Sequence, residues 1–69
     1  MEEFLHKLVF LHLDLVGKNI YYLCAYVKDI SDTHITLIDK TKSKEEQISL
    51  SYRKSDVVEI KLSNRKAND

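Results

Sequence analysis

The run from Ile20 to Ile30 contains no glycine or proline, and both of its alternating faces are apolar: Tyr22, Cys24 and Tyr26 on one, Tyr21, Leu23, Ala25 and Val27 on the other. A strand with this pattern must be covered on both sides, or bend so that each half serves a different part of the core. The surrounding sequence points the same way. There is no proline at all and a single glycine, and β-branched residues are abundant, the composition of a β protein.

Period-two alternation places the other elements. Val9, Leu11, Leu13 and Leu15 share one face of a strand over 9–15, with Phe10, His12 and Asp14 on the other. The lone Gly17, in Val16-Gly17-Lys18-Asn19, predicts a hairpin into the strand over 20–30, because Gly and Asn tolerate positive φ. After the turn Asp29-Ile30-Ser31-Asp32-Thr33, a third strand is expected over 34–39 and a fourth over 47–52. A fifth spans 57–62, with Val58, Ile60 and Leu62 inward. Upstream, Glu2 and Glu3 would complement a helix dipole, and Phe4 and Leu8 stand one turn apart, which predicts a short helix over about 2–8. The expected fold is mainly β: a short N-terminal helix and a strongly bent five-stranded antiparallel sheet, an open barrel, in one domain over 1–63. Residues 64–69 are expected to form a flexible tail.

Size bears on function. With 69 residues and a mass of 8.1 kDa, one core rarely supplies more than about 3–5 kcal/mol. Part of the stability is therefore expected from a partner, and the edges of an open sheet offer the means. The edge-strand candidates are Ile48, Leu50, Tyr52, Val57, Val58 and Ile60; Phe10 is a further exposed apolar candidate. Eleven basic and eleven acidic residues balance, which removes the electrostatic term that usually dominates nucleic-acid binding. Cys24 is the only cysteine, so no internal disulfide forms and a reducing, intracellular compartment is expected. Cys24 itself reads as a small core filler. The histidines lack metal-ligand spacing, and no glycine-rich loop or nucleophile elbow is present. Neither metal, cofactor nor catalysis is expected. No apolar run is long enough to span a bilayer.

The order of elements, with Val27 to Asp39 (VKDISDTHITLID) and Tyr52 to Ile60 (YRKSDVVEI), resembles the Sm and Sm-like family. The first stretch is similar to the end of the family's first motif. The second is similar to its Arg-containing turn followed by a Val/Ile strand, with Arg53 at the Arg position. Departures are His34 for the family's Asn, Lys54 for its Gly, and a third loop one residue longer. The lengthened loop and the Arg-x-Ser-Asp-Val turn resemble the Gemin subunits of the survival-of-motor-neuron (SMN) complex. That likeness implies a non-catalytic subunit, cytoplasmic and nuclear, in the machinery that assembles spliceosomal ribonucleoprotein cores. It would pair with another Sm-like protein, fourth strand to fifth, beside other subunits of the complex. Thr33 brings no ring to the place where the family stacks a side chain on RNA. A ring subunit contacting single-stranded RNA through Asp29, His34, Arg53 and Lys54 is therefore the second reading.

Overall fold

A computed structural model describes residues 1–65. Five strands form one antiparallel sheet: β1 (Leu8–Leu15), β2 (Lys18–Ile30), β3 (His34–Asp39), β4 (Ser49–Arg53) and β5 (Val57–Leu62). Their spatial order is β4-β3-β2-β1-β5, so the sheet is open, with β4 and β5 at its two edges.

The expected helix over 2–8 is absent. Only a single 3₁₀ turn forms, Glu2–Phe4. Leu5 already has extended backbone and His6 a positive φ of 64°. The reason lies in the sheet. The His6 amide donates to Val27 O at 2.8 Å and the Val27 amide to Lys7 O at 3.0 Å, lengthening the ladder between β1 and β2. A helix one or two turns long carries a nucleation cost that these two bonds outweigh.

β2 resolves its two-faced apolar character by bending. Between the pairs Val9–Ala25 and Leu11–Tyr22, β1 supplies only Phe10 whereas β2 supplies Leu23 and Cys24, a bulge. A second bulge at Lys28 separates the pairs Val27–Leu37 and Asp29–Thr36. Each extra residue reverses which parity faces inward and sharpens the local twist. Tyr22 is thus buried on one side of the first bulge, Ala25 and Val27 on the other. The extent of the bend is measured by Tyr52, which pairs with Ile35, itself opposite Ile30. In a flat sheet Tyr52 would lie level with Ile30, about 26 Å along β2 from Tyr22. Instead the Tyr22 and Tyr52 ring centroids are 6.0 Å apart, and their hydroxyls are hydrogen-bonded.

The core enclosed by this bend is Val9, Leu11 and Leu13 of β1, Tyr22, Ala25 and Val27 of β2, and Ile35 and Leu37 of β3. Cys24 is fully buried but stands outside that cluster; its thiol faces Arg65 O at 3.6 Å. Ser63 Oγ donates to Leu23 O at 2.7 Å, occupying a carbonyl at the β2 bulge, and the Ser63 amide donates to Leu8 O. Of the tail expected over 64–69, residues 66–69 lie outside the described residues.

The hairpin between β1 and β2 differs from expectation in its special residues. Leu15 pairs with Lys18, so the loop is Val16-Gly17, and both have positive φ, 53° and 85°. Two positive values are the geometry of a type I′ turn. Asn19 does not supply one; it lies in β2, where its Oδ1 accepts a hydrogen bond from His12 Nε2 at 2.8 Å. Asp14 Oδ1 accepts from the Gly17 amide, steadying the turn. A β-branched residue is poorly suited to this conformation, and Val16 is 97% exposed, so no packing compensates. Val16→Asn is expected to raise the unfolding free energy by about 1 kcal/mol, as read from urea midpoints at unchanged m-value.

Candidate functional site: two open strand edges and an adjoining loop cleft

In an antiparallel pair, opposed residues alternate between exchanging main-chain hydrogen bonds and directing those groups to the opposite side. The Lys54 amide donates to Thr33 O at 2.8 Å, which sets the phase on β4. Leu50 and Tyr52 bond to β3, and Ser49, Ser51 and Arg53 present their main-chain groups to the free side. On β5 the phase is set by the Ser63–Leu8 bond. Glu59 and Lys61 bond to β1, leaving the main-chain groups of Ile60 and Leu62 unpaired within the sheet. Each edge is thus a short row of donors and acceptors able to accept another strand.

The side chains anticipated at these edges divide into two groups. Leu50, Tyr52, Val57 and Ile60 are half-buried and pack against the molecule's own core. Ile48, immediately before β4, and Val58 are 62% and 58% exposed. The inward placement of Val58 is corrected, and Leu62, though on the inner face, is not buried. Val58 is an extra residue between the pairs His12–Glu59 and Leu13–Val57, so it is pushed out of the alternation. Leu62 lies opposite buried Val9 but has no further strand beside it, and it remains 58% exposed. Leu62 therefore joins the edge set. The alternation of Val58, Ile60 and Leu62 along the sequence concealed both outcomes, since neither the bulge at Val58 nor the open edge beside Leu62 leaves a mark in the apolar pattern. Phe10 is half-buried on the outer face of β1.

Around the end of β4 the sheet joins two loops that are distant in sequence. His34 pairs with Arg53. Asp32, Thr33 and His34 face Arg53, Lys54 and Ser55 across a cleft of about 480 Å³. Asp29, exposed and opposite Thr36, is not among the lining residues. The cationic groups of the cleft are already balanced: Arg53 Nε lies 3.3 Å from Asp56 Oδ2, and Lys54 Nζ lies 3.9 Å from a Glu2 carboxylate oxygen. His34 Nδ1 and Thr33 Oγ1 are 2.7 Å apart, and Ser31 Oγ accepts from the His34 amide, so the loop is internally tied. The imidazole of His34 is the only ring in the lining. The cleft can accept an anionic group only in competition with its own carboxylates.

Tyr22 and Tyr52 connect the β4 edge to the core. Burial, then the hydrogen bond with Tyr52, raises the Tyr22 phenol far above its ordinary value of 10.0. The Tyr22 phenol therefore stays neutral at physiological pH, and its bond to Tyr52 ties the inward side of β4 to the core. Among the described residues no three His, Cys, Asp or Glu side chains gather to hold a metal ion, and no helix is long and apolar enough to cross a membrane. Comparison with protein-family models, curated proteins and solved structures gives no match.

Proposed function

We propose that this chain is a non-catalytic, Sm-fold interaction subunit that heterodimerises by edge-strand pairing, of the kind represented by the sixth and seventh Gemins. It would serve, in cytoplasm and nucleus, an SMN-type complex that assembles spliceosomal ribonucleoprotein cores. The observation that carries the reading is the strand order. The resemblance names the fourth and fifth strands as the pairing elements, and β4 and β5 are the two open edges of this sheet. Exposed Ile48, Val58 and Leu62 beside those edges would give a partner strand apolar contacts in addition to its main-chain bonds.

The second reading, an Sm-like ring subunit contacting single-stranded RNA, draws on the cleft that brings His34, Arg53 and Lys54 together. Its neutral balance and lack of a second ring favour the first reading.

Native mass spectrometry of the chain alone and co-expressed with a Gemin-type Sm protein tests the choice. A heterodimer is expected, lost in Val58→Asp, which places an unpaired charge at the edge while the circular dichroism spectrum stays unchanged. A hexamer or heptamer of the chain alone, with oligo-U affinity abolished by Arg53→Ala, would establish the ring instead.

A further inference from the structure

The core occupies one face of the sheet, and on the other face three strands carry an ordered pattern of side chains. Opposed residues in antiparallel strands share a face. The pairs Glu59–His12 and His12–Tyr21 therefore form one row across β5, β1 and β2. The pair Lys61–Phe10, continued by Leu23 at the bulge, forms the next. Contacts confirm the rows. The His12 and Tyr21 rings stack at 4.3 Å, Phe10 lies 6.4 Å from Tyr21, and Lys61 Nζ sits 5.1 Å from the Phe10 ring centre. Glu59 and Lys61 are 3.7 Å apart at the rim. Tyr21 and Leu23 remain 56% and 43% exposed. The His12–Asn19 hydrogen bond and the stacking on Tyr21 hold the imidazole in place.

We infer that this outer face is an isologous contact between two copies of the chain. The argument is its self-complementarity. Consider a two-fold axis in the plane between two such faces, running across the strands midway between the rows. It sets Glu59 of one copy opposite Lys61 of the other, His12 opposite Phe10, and Tyr21 opposite Leu23. Within these two rows each charge then meets its opposite at the rim and each apolar group meets a ring or an aliphatic side chain, as closed symmetric interfaces require. An axis along the strands would instead oppose Glu59 to Tyr21 and Lys61 to Leu23, stranding all the charges. The formal net charge of zero adds no repulsion between copies,. The arrangement is face-to-face packing of two sheets, and it leaves both β4 and the β5 edge free for the pairing proposed above.

Sedimentation velocity of the full chain across a concentration series reads this contact. The weight-average sedimentation coefficient is expected to rise from monomer to dimer with concentration. Tyr21→Glu should weaken the dimer by roughly tenfold or more. Lys61→Glu changes a side chain 62% exposed, losing its contacts with Phe10 and Glu59, and should also weaken the dimer by opposing two carboxylates across the axis. The double variant Glu59→Lys/Lys61→Glu should restore dimerisation, because the axis brings the reversed charges together again. Val58→Asp, which tests edge pairing, should leave it intact. A chain that stays monomeric at every concentration, a double variant no better than Lys61→Glu alone, or a dimer dissolved by Val58→Asp would overturn the inference.

Discussion

Leu37→Ala is expected to leave the chain largely unfolded at room temperature. Leu37 is fully buried at the centre of β3, opposite Val27 on one side and Leu50 on the other. It therefore bridges the inner strands and the β4 edge. Truncating a buried leucine costs about 2–5 kcal/mol, the transfer term plus the cavity left behind. A core of this size supplies about 3–5 kcal/mol in total. The two quantities are equal within their spread, so one substitution removes the fold. Leu37→Met conserves volume and should cost less than about 1.5 kcal/mol, with a cooperative urea transition retained. A Leu37→Ala chain whose transition stays within about 1 kcal/mol of the parent would show that the core is backed by something outside β1–β3.

The second large effect concerns alkaline pH and the tyrosine pair. Burial and then the Tyr52 hydrogen bond raise the Tyr22 phenol above its ordinary value of 10.0. Below pH 10 the phenol is protonated in both folded and unfolded chains, and its contribution to stability is constant. Above pH 10 the unfolded chain releases that proton while the folded chain keeps it, so stability falls as pH rises. The slope approaches about 1.4 kcal/mol per pH unit. Tyr22→Phe removes the titration together with the hydrogen bond. At pH 8 the variant should be about 1 kcal/mol less stable than the parent, and by pH 11 the two should converge. Urea titrations at the two pH values measure this directly. Parallel stability curves would mean that the Tyr22 hydroxyl is not held neutral against Tyr52.

The same residues show what could be read from the chain and what could not. Tyr22 and Tyr52 were both legible as strand residues, but the bond between them was not. It joins positions that a flat sheet would hold far apart, and it exists only because β2 bends at Leu23-Cys24 and again at Lys28. The apolar residues on both faces of β2 announced that a bend or a double cover was needed without locating it. Exposure at the edges was only partly legible. Ile48 and Val58 are exposed, but the alternation placed Val58 inward because it assumes an unbulged strand, and it gave no sign that Leu62, level with buried Val9, has no strand beside it. The opposition of His34 and Arg53 comes from the β3–β4 register, not from any local signal.

Local chemistry alone determined the strands and their hairpin. Val9, Leu11 and Leu13 alternate because a pleated chain exposes every second side chain to the core, and a lone glycine marks the place where backbone must turn with positive φ. Tertiary structure alone decided the bulges, the outward turn of Val58, the loss of the N-terminal helix and the two rows on the outer face. Each of these depends on how separate strands match in register once a single small core has to be enclosed, and that balance is struck between segments remote in sequence.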